Sequence, residues 1–168
     1  MKINKIYFDM DGVLADFDKS ADAVSGLPHL SPGELRSEED DDLMWSKIRE
    51  IPHFYDTLDP MPGAVEMFNM IFDKFGTDVE ILTGIPKPKR GITTAGEDKI
   101  NWVRRYLDKD VKVNIVFKEE KKNYCKGPEY VLIDDTRSNI DSWVQNGGTG
   151  ILHTDPEKTI KELLSLEP

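Results

Sequence analysis

Lys5-Ile6-Tyr7-Phe8-Asp9-Met10-Asp11-Gly12-Val13-Leu14-Ala15-Asp16-Phe17 carries an apolar strand straight into two aspartates spaced D-x-D and then a glycine. The run from Ile3 to Asp9 is rich in isoleucine and aromatics, which suits a strand buried on both faces. Two carboxylates at the end of such a strand do nothing for the fold. An unpaired buried charge costs several kcal/mol or is forced to neutralise. The pair therefore reads as chemistry, and it requires a compensating partner.

Four more apolar runs follow: Val79 to Thr83, Val111 to Phe117, Tyr130 to Asp134 and Thr149 to Leu152. Between them apolar residues recur at helical spacing. Val65, Phe68, Ile71, Phe72 and Phe75 form one face, and Ile100, Val103 and Leu107 another. Ile140, Trp143 and Val144, then Ile160, Leu163 and Leu164, predict two further helices. Strands alternating with helices predict an α/β fold, a parallel five-stranded sheet with right-handed crossovers. Gly76, Gly147, Gly148 and Gly150 fall where helices stop and strands begin. The stretch from residue 17 to 59 breaks this rhythm with Leu27-Pro28, Ser31-Pro32-Gly33, the acid run Ser37 to Asp42 and a helix around Leu43 to Glu50. It reads as a small helical insert after the first strand. The acid run itself reads as a solvated helix start.

The 168 residues suit one domain with a core of its own, and 38% are hydrophobic. A net charge of −10 argues against tracking a nucleic-acid polymer, which needs clustered lysine and arginine. A single nucleotide stays open as a ligand. One cysteine, Cys125, allows no internal disulfide, and the N-terminus has no secretory pattern, so a reducing, cytoplasmic setting is expected. No apolar run is long enough for a membrane span.

A second acid pair, Asp134-Asp135, ends the Tyr130 strand as Asp9 and Asp11 end the first. If those strands are neighbours, four carboxylates converge where open α/β sheets bind ligands. A divalent cation is the simple remedy, and an all-oxygen donor set of this kind suits Mg²⁺ better than Ca²⁺. One D-x-D-G alone could be an ordinary turn. Two acid pairs, each directly after an apolar strand, are hard to read that way.

DMDGVLADF, ILTGIP and VLIDD together resemble the motifs of the haloacid dehalogenase-like (HAD) superfamily of phosphohydrolases. Within it the chain resembles the 5'(3')-deoxyribonucleotidase family, on the full DMDGVLADF string, on Leu58-Asp59-Pro60-Met61-Pro62-Gly63-Ala64, and on Trp102-Val103 after Lys99. The resemblance runs from Ile6 to the final helix and is weakest over residues 18–44. It implies a three-layer Rossmann-like core, residues 1–16 and 60–168 of a single domain, with a small helical cap at 17–59. The activity implied is Mg²⁺-dependent hydrolysis of a small-molecule phosphomonoester, a nucleoside monophosphate and in particular a deoxyribonucleotide, through an aspartyl-phosphate. A phosphatase for sugar phosphates or another small metabolite is the alternative, and a non-catalytic phosphate-binding module the second.

The resemblance also implies roles. Asp9 is the nucleophile. Asp11 protonates the leaving group and then activates water; superfamily members that cleave carbon–halogen bonds generally lack an acid there. Thr83 and Gly84 hold phosphate oxygens. One lysine steadies the phosphoryl group, as charge stabilisation dominates such transfers. Lys118, Lys121, Lys122 and Lys126 are candidates; Lys121, with Tyr124 three residues on, fits best and Lys122 second. Lys99 matches a further lysine that could approach the phosphate. The metal would be held by Asp9, by Asp11 through its carbonyl, and by Asp135, with Asp134 either sharing the shell or orienting Lys121. Asn139 supports this loop. Phe17 and Trp45 would line the base pocket, with Phe54 and Tyr55 placed to face the same cleft. The alternative for Phe17 and Trp45 is plain packing of cap on core. The family's vertebrate Thr-Ser-Pro stands here as Thr83-Gly84-Ile85-Pro86. The three histidines show no metal spacing, and Lys87, Lys89 and Arg90 read as a solvated loop or an aid to anionic substrate. Oligomeric state is not readable.

Overall fold

The computed structural model describes Met1–Pro168 and sets five parallel strands side by side in the order β3-β2-β1-β4-β5. They are β1 (Lys5–Phe8), β2 (Val79–Gly84), β3 (Val113–Val116), β4 (Tyr130–Asp134) and β5 (Thr149–Leu152). All five expected runs form strands. The first and third are shorter than their apolar stretches, because Ile3 and Val111 are buried in the core outside the ladder. Phe8 pairs with Ile81 on one side and Ile133 on the other, so β1 and β4 end within a residue of each other while β2 runs on three residues to Gly84. The chain winds outward through β2 and β3, then returns to place β4 on the other side of β1. That reversal opens a crevice at the carboxyl ends of the strands.

Alternation along each strand sorts the side chains into two layers. Ile6, Phe8, Ile81, Val131 and Ile133 face α3 (Ala64–Phe75), α4 (Ala95–Tyr106) and α6 (Pro156–Leu166), in a core cluster of 27 buried residues. Tyr7, Leu82, Val116 and Leu132 face the other way, with Ile140 and Trp143 of α5 (Arg137–Gln145), in a cluster of six. A 3₁₀ segment, Lys118–Tyr124, covers β2 on this second side, and Tyr124 meets Tyr7 edge-on at 5.9 Å. Val144 and Leu164, named above among the apolar residues at helical spacing, are 51% and 38% exposed. A nine-residue α5 over the short edge of the sheet buries only a narrow stripe, and Val144 lies off it.

The insert folds as α1 (Phe17–Ser25) and α2 (Glu38–Arg49), which pack on each other. Helix α2 starts five residues earlier than the apolar pattern suggests. Ser37 accepts a hydrogen bond from the Asp40 N–H, and Glu38 to Asp41 occupy the positive end of the helix. The two ends of the insert are stitched together. The Asp16 N–H donates to the Asp59 carbonyl and the Met61 N–H to the Leu14 carbonyl, both at 2.8 Å. Arg90, from the loop after β2, donates to Asp42 at 2.6 Å and Asp41 at 3.0 Å, so it is not a free solvated cation but a tie from core to insert. No helix is long and apolar enough to cross a membrane.

Candidate active site

Asp9 leaves the end of β1 with its side chain on the Tyr7 side of the sheet, where Lys121 arrives from the 3₁₀ segment. Lys121 Nζ donates to Asp9 Oδ1 at 2.8 Å and to Asp134 Oδ2 at 3.0 Å. Burial opposes the charge on Lys121, yet Asp9 and Asp134 more than offset it, so the ammonium is held protonated well beyond its ordinary range. Asp134 is fully buried and its oxygens are taken: Oδ1 accepts from the Thr136 N–H at 2.9 Å, and Oδ2 accepts from Asn139 at 3.1 Å as well as from Lys121. Asn139 thus supports this loop through Asp134.

Asp11 is served from the opposite layer. Lys99, on α4, is completely buried and donates to Asp11 Oδ2 at 3.0 Å, to the Thr83 hydroxyl at 2.8 Å and to the Gly84 carbonyl at 2.7 Å. Its ammonium also lies 4.7 Å from the centre of the Tyr55 ring. Asp11 Oδ1 is buried and has no partner. One Asp11 oxygen is thus fixed by Lys99, while the other is free of protein donors.

Asp9, Asp134 and Asp135 bring carboxylate oxygens within 4.8 Å of one another. Asp135 is pushed up to about 8, first by the protein crowded around it and then by Asp9 and Asp134, although the residue keeps an exposed face to solvent, which favours the charge repulsion as the firmer cause. That repulsion is what a cation would relieve. Gly12 makes room for the arrangement: at φ +81° it turns the chain under Asp135, and a Cβ there would stand 2.0 Å from Asp135 Oδ2. Asp134 Oδ2 already accepts two bonds and its Oδ1 one, so Asp9 and Asp135 offer the freer oxygens of the three. The donor set therefore fits Mg²⁺.

A cavity of about 310 Å³ opens above these groups, lined by Asp9, Asp11, Asp135 and Lys121 at one end and by Phe17, Trp45 and Tyr55 from the insert. Phe17 stacks on Tyr55 at 5.8 Å and tilts against Trp45 at 5.8 Å. Gly84 reaches the lining, whereas Thr83 and Lys99 do not: both are fully buried beneath it, turned toward each other. Lys122 is absent from the lining and Lys118 is present. Phe54 is buried behind Phe17 rather than facing the cavity. Two contributors carry little sequence signal. Asp18 follows Phe17 into the lining with no motif of its own, and Tyr55 stands in a short 3₁₀ turn, Phe54–Thr57, where only its aromatic character hinted at a role.

A parallel sheet with its acids at the switch point and a helical insert after β1 is the architecture of the HAD-type hydrolases. A HAD-superfamily hydrolase from Ehrlichia chaffeensis superposes with a TM-score of 0.56 at 14% identity, covering all of both chains. A HAD-type protein of Bacillus subtilis, solved with magnesium bound, gives 0.58 at 13% identity, covering 99% of each. Likeness at this identity shows the fold alone.

The family is narrower. The profile described as "5' nucleotidase, deoxy (Pyrimidine), cytosolic type C protein" matches residues 2–162, and the chain belongs to that family. It is 31% identical over 135 residues to a Vibrio phage KVP40 protein provisionally named a 5'(3')-deoxyribonucleotidase, spanning 80% of this chain and 67% of that one. It is 30% identical over 146 residues to the mitochondrial 5'(3')-deoxyribonucleotidase of Mus musculus, spanning 78% of this chain and 64% of that one. The chain thus spans about two thirds of the length of these relatives.

Proposed function

We propose that the protein hydrolyses the phosphate of nucleoside monophosphates, deoxyribonucleotides in particular, with residues 17–59 acting as a cap over a core of 1–16 and 60–168. The observation that carries this reading is the opposed pair of clasps at the cavity floor: Lys121 on Asp9, Lys99 on Asp11. Family membership and the names of the relatives support the substrate class.

Asp9 attacks phosphorus with Oδ2, which has no donor within the protein, while Lys121 steadies Oδ1 and offers its charge to the phosphoryl oxygens. The P–O bond to the sugar breaks, and Asp11 passes its proton to the departing alkoxide. Asp11, now a carboxylate, takes a proton from water, whose oxygen attacks the aspartyl-phosphate and frees Asp9 and inorganic phosphate. Lys99 sets the orientation of Asp11 in both steps. Thr83 acts through Lys99, and phosphate oxygens meet Gly84 and Lys121. Asp9, Asp135 and the Asp11 carbonyl would hold Mg²⁺, which supplies positive charge against the phosphate; Asp134 stays with Lys121. Phe17, Trp45 and Tyr55 offer flat faces to a nucleobase.

The test is phosphate release across deoxyribonucleotides, ribonucleotides and sugar phosphates, with and without Mg²⁺. Turnover of nucleotides above sugar phosphates, abolished by chelation and by Asp9→Asn, is the expected result. Preference for sugar phosphates would move the substrate class. Phosphate binding without turnover of any ester would replace the enzyme with a phosphate-binding module.

A further inference from the structure

Helix α4 does more than carry Lys99. It grips the limb by which the insert returns to the core, residues 53–58, at four points along one face. Asp98 takes the His53 Nδ1 at 2.7 Å, Lys99 lies under the Tyr55 ring, Trp102 Nε1 donates to the Leu58 carbonyl at 2.8 Å, and Arg105 donates to the Asp56 carboxylate at 2.7 Å. Spacings of one, four and seven residues from Asp98 keep these groups on a continuous helical stripe. His53 is distinctive within this set. It is the one non-glycine residue with positive φ, at 53°, in the conformation L side chains rarely adopt. Its partner Asp98 is completely buried, and the other Asp98 oxygen accepts from the Thr94 hydroxyl at 2.7 Å.

We propose that His53 is a positioning residue: its bond to Asp98 holds the return limb in place, so that Tyr55 stays over Lys99 and closes the aromatic side of the cavity. The proposal rests on the nucleotidase reading for its kinetic consequence alone. Asp98 and Lys99 are consecutive, so the residue that anchors the entry to the Tyr55 turn adjoins the one that orients Asp11. A local strain persists where surrounding contacts enforce it, and the contacts available here are the imidazole–carboxylate bond and the Asp56 N–H, which donates to the His53 carbonyl at 2.9 Å.

The bond is also sensitive to protons. His53 faces Asp98 and Glu97 on α4, Asp56 on its own turn, and Arg49 of α2 across a small cavity. The hydrogen bond to Asp98 and then that carboxylate's charge raise the imidazole above its ordinary value. The protonated ring therefore gives Asp98 a counter-charge as well as a bond, and is the form that grips more firmly. As pH climbs through the raised value, buried Asp98 loses its counter-charge and the limb loosens.

The experiment compares the full chain with His53→Gly, which accepts positive φ but lacks the bond, and with His53→Asn, which accepts positive φ and keeps a donor. Two readouts are taken at about pH 6 and about pH 8.5: hydrogen exchange of amides 53–58 without substrate, and KM and kcat for dUMP. At the lower pH, His53→Gly should exchange about tenfold faster and raise KM about fivefold, more than it lowers kcat. Raising the pH should move the unsubstituted chain toward the variant and leave the variant's own protection flat. His53→Asn should recover most of the loss and remove the pH step. Unchanged exchange and KM in His53→Gly, or a pH step that survives in it, would overturn the proposal. Absence of turnover in the unsubstituted chain would instead overturn the nucleotidase reading, while exchange still decides the role of His53.

Discussion

The two buried lysines of the site invite comparison, because each clasps one aspartate of the same D-x-D and does so from an opposite layer of the sheet. Lys121 meets two carboxylates, Asp9 and Asp134, and lines the cavity. Lys99 meets one carboxylate, two neutral oxygens and an aromatic face, and is sealed beneath it. The first region is charge-rich and open to the cavity. The second is a closed scaffold that transmits the placement of α4 to Asp11. In the proposed mechanism, proximity to a carboxylate of the D-x-D is therefore not one role but two: Lys121 would act on the reacting group and Lys99 on the group that moves the proton.

The sharpest way to break this division begins with the nucleophile. Asp9→Asn should lower phosphate release by about 10⁴-fold or more while far-UV circular dichroism stays native. Lys121→Met should lose about 10²- to 10³-fold in kcat/KM and also stability, about 3 kcal/mol in denaturant unfolding, because Asp134 keeps a buried charge without its partner. Asp11→Asn should lose about 10²- to 10⁴-fold, and Lys99→Met should fall short of that loss if Lys99 only orients Asp11. A Lys99→Met defect larger than that of Asp11→Asn would merge the two roles. Trp45→Ala touches neither lysine and should raise KM by about 5- to 100-fold, as loss of one base-stacking face of about 1 to 3 kcal/mol implies, with little change in kcat.

How far the sequence reached follows from the range of each interaction. Asp9, Asp11, Asp134 and Asp135 were legible because acids directly after apolar runs violate the rule for buried strands, and a strand end is a local signal. The α/β alternation was legible for the same reason. Lys121 needed the resemblance to stand out among its neighbours, since nothing local separates it from Lys118 or Lys122. The sealed position of Thr83 and Lys99 was not legible, because it depends on how α4 lies across β2. Arg90 with Asp41 and Asp42, and His53 with Asp98, join residues more than forty positions apart, and no periodicity announces such pairs. Val144 and Leu164 mark the limit of helical spacing as evidence: apolar residues one step beyond a narrow stripe face water.

Gly12 carries a consequence at the level of heredity. Every glycine codon lies one nucleotide from an alanine codon, so the mildest substitution in the genetic code is always within reach at this position. Here it is not mild, since the added methyl would claim the space of the Asp135 carboxylate on a backbone already at φ +81°. A mutation that alters no acid, no lysine and no aromatic would still displace an oxygen from the centre of the site. The site therefore depends on an empty volume at Gly12 as well as on its functional groups.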